Sequence, residues 1–163
     1  MPIDNSLRIR PAVENDMPLI VSLVNALADY EKLEGPDAAA VERLRKHGFG
    51  EPCYFKVLLA EIDGRAAGYA FYFFTYSTFL AKPTLYLEDL FVLPEYRKRG
   101  VGYLLMKELA KIAVNEDCGR LDWAVLDWNQ NAIDFYNRLG AVQLNDWIVC
   151  RLTGEPLTNL AKE

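Results

Sequence analysis

Only three of the 163 residues are cysteine and only one is histidine. Cys53, Cys118 and Cys150 are odd in number and form no C-x-x-C pair, which argues against a secreted disulfide scaffold and a structural zinc site; no metal is expected. Reduced, mostly buried thiols are the expectation. His47 follows a short helical stretch and precedes a glycine turn, a place that suits a helix-ending surface residue rather than a catalyst. Long apolar runs are also missing. No segment approaches the roughly 18 apolar residues a membrane span requires, and the first residues show no basic stretch followed by an apolar run. The expectation is a soluble, cytoplasmic chain. Positive charge is in deficit: 18 Lys and Arg against 23 Asp and Glu leave a net charge of -5. That balance argues against nonspecific attraction to nucleic acid or anionic membrane and favours cationic small molecules. Repeats, low-complexity tracts and Gly/Ser-rich linkers are absent, so one domain over 1–163 is expected.

What is present is periodicity of two kinds. Leu7 to Arg10 reads as a short strand, and Ile20, Leu23, Val24 and Leu27 recur at helical spacing behind Pro18, predicting a helix from near Asp16 to about Leu33. A shorter helix follows from Ala38 to Lys46, before Gly48-Phe49-Gly50. Three β-rich runs, Tyr54 to Glu61, Ala66 to Thr75 and Thr84 to Val92, are divided by Asp63-Gly64 and by the Pro83 region. From Val101 the period is helical again, with Leu104, Leu105, Leu109 and Ile112 in one stripe. A strand from Leu121 to Leu126, a helix from Gln130 to Leu139 and two short terminal strands complete the reading. Hairpins first and strand-helix alternation later predict an α/β fold, a mixed, mostly antiparallel sheet with helices on both faces. Ligands in such sheets bind where strand passes to helix, here residues 88 to 102.

Three segments carry chemistry. Arg97-Lys98-Arg99-Gly100-Val101-Gly102 is an R-x-x-G-x-G stretch at the start of an amphipathic helix. Its glycines admit close backbone approach, and the N–H groups and dipole of a helix start favour phosphate; the other reading is an ordinary turn with solvated arginines. No Gly-Lys-Ser/Thr follows and the glycine spacing is not that of a dinucleotide fingerprint, so neither common nucleotide loop applies. Asn129-x-x-Ala132-x-x-x-Tyr136-x-x-x-Gly140 places a cap residue before a helix whose Tyr136 shares a face with Ala132, Phe135 and Leu139. By itself that tyrosine reads as core, but a phenol can hand a proton to a departing thiolate. Leu85 to Val92 sets Glu88 and Asp89 side by side in an apolar strand. Regular alternation sends them to opposite faces, and only a bulge aims both at one ligand; paired or strand-end carboxylates are the other reading.

Together, in this order and spacing, these segments resemble the acetyl-CoA core of the GNAT superfamily. Tyr86-Leu87-Glu88-Asp89, Tyr96-Arg97, Asp127-Trp128-Asn129, Ala28-Asp29-Tyr30-Glu31 and His47-Gly48-Phe49-Gly50-Glu51 are similar to the diamine and thialysine N-acetyltransferase family, over nearly the whole chain. The resemblance implies the GNAT fold and direct attack of a bound amine on acetyl-CoA in a ternary complex. It implies that Glu88 assists deprotonation and that Tyr136 protonates the leaving coenzyme A thiolate. It further implies that the backbone of Phe91, Val92 and Leu93 holds the pantetheine arm, that Arg97, Lys98, Arg99, Gly100, Val101 and Gly102 bind the pyrophosphate, and that Asn129 adds a contact. Tyr30, Glu31 and Asp89 would line the amine pocket, and a homodimer is the family's usual association.

Polyamine-acetylating relatives tend to have Tyr-Asp-x-Trp where this chain has Tyr76-Ser77-Thr78-Phe79, so Ser77 and Phe79 replace a carboxylate and an indole. The resemblance thereby leans toward a lysine-like amino acid such as thialysine, with a spermidine or spermine acetyltransferase as the alternative. The stretch Asn145 to Trp147 is shorter than in relatives, at the expected dimer contacts. A noncatalytic acyl-CoA sensor and a protein acetyltransferase are the remaining readings.

Overall fold

A computed structural model describes residues 6–162. They form two compact units, one reaching to Ala124 and the other starting at Val125. The first contains β1 (Leu7–Pro11), a 3-10 turn at Glu14–Asp16, α1 (Met17–Glu31), α2 (Ala38–Phe49), β2 (Lys56–Ile62), β3 (Arg65–Ser77), β4 (Lys82–Val92), a second 3-10 turn at Pro94–Tyr96, α3 (Val101–Asn115) and β5 (Arg120–Trp123). The second contains α4 (Gln130–Arg138) and α5 (Gly154–Leu160).

The five strands lie in chain order, antiparallel from β1 to β4, with β5 parallel to β4. Hairpin chemistry explains the antiparallel part. Asp63 (φ 50°) and Gly64 (φ 74°) are both left-handed, the conformation a two-residue hairpin loop requires, and they return β2 into β3. Consecutive residues such as Val57 to Ala60 and Ala67 to Ala70 are all buried, so both faces of the central strands are covered. On one face Met17, Ile20 and Leu23 of α1 pack with Val57, Leu59, Tyr69 and Phe91. α3 touches every strand and buries Val101, Leu105, Met106, Leu109 and Ala113. Arg10 ties the start of the domain together, donating to Asp16 at 2.7 Å and to Glu61 at 2.7 Å.

Helix boundaries follow their caps. Pro18 lies in the first turn of α1, Lys32 ends it in the left-handed region, and the Asp37 side chain accepts from Ala40 N at 2.7 Å to open α2. α2 runs through Gly48 to Phe49, past the expected stop at Lys46. Three expectations are corrected. β5 stops at Trp123 instead of Leu126, where its pairing with β4 ends at Leu87. The two terminal strands do not form among the described residues, which carry α5 there; Trp147, Ile148 and Val149 are exposed, and β-type side chains make a strand only where a neighbouring edge pairs their backbone. The thiols are free, but Cys53 and Cys150 are exposed rather than buried, because their loops contribute nothing to the sheet core.

Candidate active site

β4 is where the sheet becomes irregular. Asp89 pairs with Phe71 and Leu87 with Tyr72, so Glu88 has no partner of its own in β3. This is a bulge, and its extra residue is one of the two carboxylates in question. Phe71 packs with the α1 cluster and Tyr72 points to the opposite face, which places Asp89 on the α1 side and Leu87 on the other. Glu88 between them is exposed. β5 accompanies β4 only from Thr84 to Leu87, so on that side of β4 no described strand pairs with Glu88 to Val92, which keep β3 as their neighbour on the other side.

The bulge gathers like charges. Burial pushes the Asp89 carboxyl up to about 6; Glu88 and Glu31 push the same way, and a hydrogen bond from Tyr69 opposes them. That bond runs from the Tyr69 hydroxyl to Asp89 Oδ2 at 3.2 Å. Burial, with Asp89 beside it, holds the Tyr69 phenol far above the ordinary phenol range, so it donates and keeps its proton. Glu31 is the last residue of α1, and its neighbour Tyr30 lies 6.2 Å from the Phe91 ring.

Arg97 is shared with this side of the site. Its guanidinium lies 5.1 Å from the Tyr30 ring centre and 5.6 Å from that of Phe91, and its Nε donates to the Val92 carbonyl at 3.0 Å. The side chain thus braces the end of β4 against α1. Lys98 (φ 63°) and Gly100 (φ 87°) turn the chain sharply into α3, where Gly100 is the N-cap and no side chain caps the helix. The first N–H groups of a 15-residue helix therefore open beside Lys98 and Arg99, a suitable cradle for a pyrophosphate. Arg99 stacks over Tyr96 at 5.6 Å.

In the second unit, Asn129 caps α4 by accepting from Ala132 N at 3.3 Å. Tyr136 lies on α4 beside Phe135, and burial raises its phenol to about 12, so the proton stays on at neutral pH. Within the first unit the structure brings together Tyr30, Glu31, Glu88, Asp89, Phe91, Val92 and Arg97 of the anticipated residues. It does not bring Ser77 and Phe79 to them. Ser77 pairs with Lys82 at the far end of β3, six residues from Phe71, or about 20 Å at ~3.3 Å per residue. The Ser77 hydroxyl is buried and accepts from Leu80 N at 3.3 Å, while Phe79 is fully exposed on the same turn.

Two residues escaped sequence reasoning. Tyr69 reads as one more aromatic in a buried strand, and nothing in the sequence distinguishes its hydroxyl from a phenylalanine edge. Gly68 carried a usable signal, since glycine inside a strand marks close backbone approach. A Cβ there would stand 2.4 Å from the Phe91 carbonyl oxygen and 3.1 Å from Val92 Cα.

Comparison with known proteins bears on this arrangement. The Acetyltransferase (GNAT) family profile matches residues 20–141. The thialysine N-epsilon-acetyltransferase of Mus musculus is 39% identical over 167 residues, covering 96% of this chain and 98% of its own. The L-ornithine N5-acetyltransferase NATA1 of Arabidopsis thaliana is 46% identical over 100 residues, 61% of this chain and 44% of that protein. A solved integron cassette protein from the mobile metagenome of V. cholerae superposes with a TM-score of 0.83 at 28% identity, covering 98% of this chain and all of that one.

Proposed function

This chain belongs to the GNAT acetyltransferase family, and from that membership we propose that it transfers an acetyl group from acetyl-CoA to the side-chain amine of a small amino acid, thialysine or a lysine-like relative. The observation that carries the reading is the Glu88 bulge, which sets Glu88 and Asp89 near Glu31 at the end of β4, just before the uncapped start of α3. Negative charge for an amine and helix N–H groups for a phosphate lie on one connected stretch of chain. The relatives named for thialysine and ornithine act on amino acids with a side-chain amine, which supports the same substrate class.

Acetyl-CoA, when bound, supplies the thioester that the amine attacks. The residues fit it: the N–H groups after Gly100, with Lys98 and Arg99, would hold the pyrophosphate, and the backbone from Phe91 at the end of β4 to Leu93 just after it would hold the pantetheine arm. Asn129 adds a contact. An alkylamine of pKa near 10.4 is neutral about once in 2,500 molecules at pH 7, and only that form is nucleophilic. Glu88, which is exposed, accepts the amine's proton, directly or through water. Asp89, Glu31 and Tyr30 hold the cationic substrate. Tyr136 supplies the proton the leaving sulfur takes up; its raised pKa keeps that proton available. The two units act as one domain in this reading, and the protein works in the cytoplasm as a homodimer.

Coenzyme A release followed with thialysine, lysine, ornithine and spermidine tests the proposal. Amine-dependent turnover led by an amino acid is expected. Preference for spermidine would assign the polyamine alternative, and cofactor binding without turnover would make the chain a sensor.

A further inference from the structure

Tyr69 has no exposed surface and faces Phe91 across the β3–β4 ladder, inside the apolar cluster beneath α1. A phenylalanine would serve that packing equally well. The hydroxyl is what needs a reason. A buried phenol seeks a hydrogen-bond partner, but choosing a carboxylate brings charge into a poorly solvated place. Among the described residues Glu88 on the same strand and Glu31 at the end of α1 both oppose its ionisation, and Tyr69 from β3 is the group that favours it. Arg97, the nearby cation, is turned to the Tyr30 and Phe91 rings and the Val92 carbonyl.

We propose that Tyr69 is a positioning residue of the amine site, whose hydroxyl holds Asp89 Oδ2 so that the carboxylate is presented, ionised and in one orientation, to the substrate's ammonium. The inference rests on the acetyl transfer to a cationic amine proposed above and adds to it a specificity element on a different strand. Three features support it. The bond spans β3 to β4 next to the bulge and ties the Asp89 side chain to a second strand. The donor is neutral, so it steadies the carboxylate without neutralising the charge an ammonium needs. Its proton is held well beyond any working pH, so the donor does not fail as pH rises.

The test is Tyr69→Phe, read in two ways. In the amine-free protein, the Asp89 carboxyl is followed by carbon NMR against pH. Losing a donor to the ionised form should raise its pKa by about one unit from its native position near 6. In steady state, KM for thialysine should rise about threefold at pH 6.5, the ratio of ionised fractions for such a displacement, and return to the native value by about pH 8.5. KM for acetyl-CoA and kcat should stay close to native. In an Asp89→Asn background, Tyr69→Phe should change amine KM no further. An unmoved Asp89 titration, a pH-independent rise in KM, or a further loss in the Asn background would each reduce Tyr69 to a packing residue. Absence of amine-dependent turnover in the native protein would instead refute the transferase reading, while an unmoved titration with native activity intact refutes only the role of Tyr69.

Discussion

Two side chains with raised pKa values lead to opposite experimental consequences. Tyr136 is raised to about 12, so its ionisation lies above the working range. A kcat–pH profile should therefore show no loss from this group up to about pH 10, and Tyr136→Phe should lower kcat by about 10² or more, since positioned acids commonly contribute about 10²–10⁴-fold. Unchanged kcat in that variant would leave Tyr136 as a core residue. Asp89 titrates within reach. Its folded value near 6 lies above the ordinary 3.8, so the folded chain binds more protons than the unfolded one between those pH values. Stability from this group is complete below about pH 4 and declines as pH rises through about 6. Asp89→Asn, which keeps an acceptor for Tyr69, should accordingly melt at higher temperature than the native protein at pH 7.5 and at nearly the same temperature at pH 4. Equal melting differences at both pH values would contradict the buried, unneutralised carboxylate.

At the scale of elements, close backbone approach and a left-handed turn do what no side chain could. Gly68 lets β3 lie against the Phe91 carbonyl, and the added Cβ of Gly68→Val would meet backbone rather than a flexible side chain. Displacement of Phe91 and Val92 follows, with acetyl-CoA affinity expected to fall at least tenfold in calorimetric titration. Gly100 at φ 87° starts α3 in a conformation that disfavours a side chain by roughly 1–2 kcal/mol, more for a β-branched one. Gly100→Val should weaken acetyl-CoA binding more than it lowers the melting temperature. Normal affinity in both variants would detach these turns from the cofactor. The turn into α3 was legible in the sequence as R-x-x-G-x-G, because glycine is the residue that most readily takes the left-handed conformation Gly100 adopts there. The bulge was legible only as a possibility: Glu88 beside Asp89 shows that alternation must break if both serve one ligand, and the β3 register decides that it does.

For the whole molecule the sharpest prediction joins substrate choice to association. Ser77→Asp would add a counter-charge for a distal ammonium and should raise kcat/KM for spermidine relative to thialysine by about tenfold, the equivalent of about 1.4 kcal/mol. Since Ser77 stands about 20 Å along β3 from the Asp89 register, that gain should appear in the proposed dimer and vanish when dilution gives monomers by sedimentation. A gain that persists in monomers would place the hairpin tip at its own chain's amine. The periodicities, the Asp63-Gly64 turn and the order of three motifs sufficed to determine the α/β class, the run of elements from β1 to α4 and the family, because each is written in residues adjacent or helically spaced along the chain. The terminal strands failed for the complementary reason: a strand is a pairing, and no local pattern supplies the neighbour. Tertiary structure alone decided that Tyr69 meets Asp89, that Arg97 turns to Tyr30 and Phe91, and that Ser77 lies far from both carboxylates. Each of these depends on strand register or on packing between distant segments, and a burial, a charge or a hydrogen bond across such a gap has no signature until the sheet has formed.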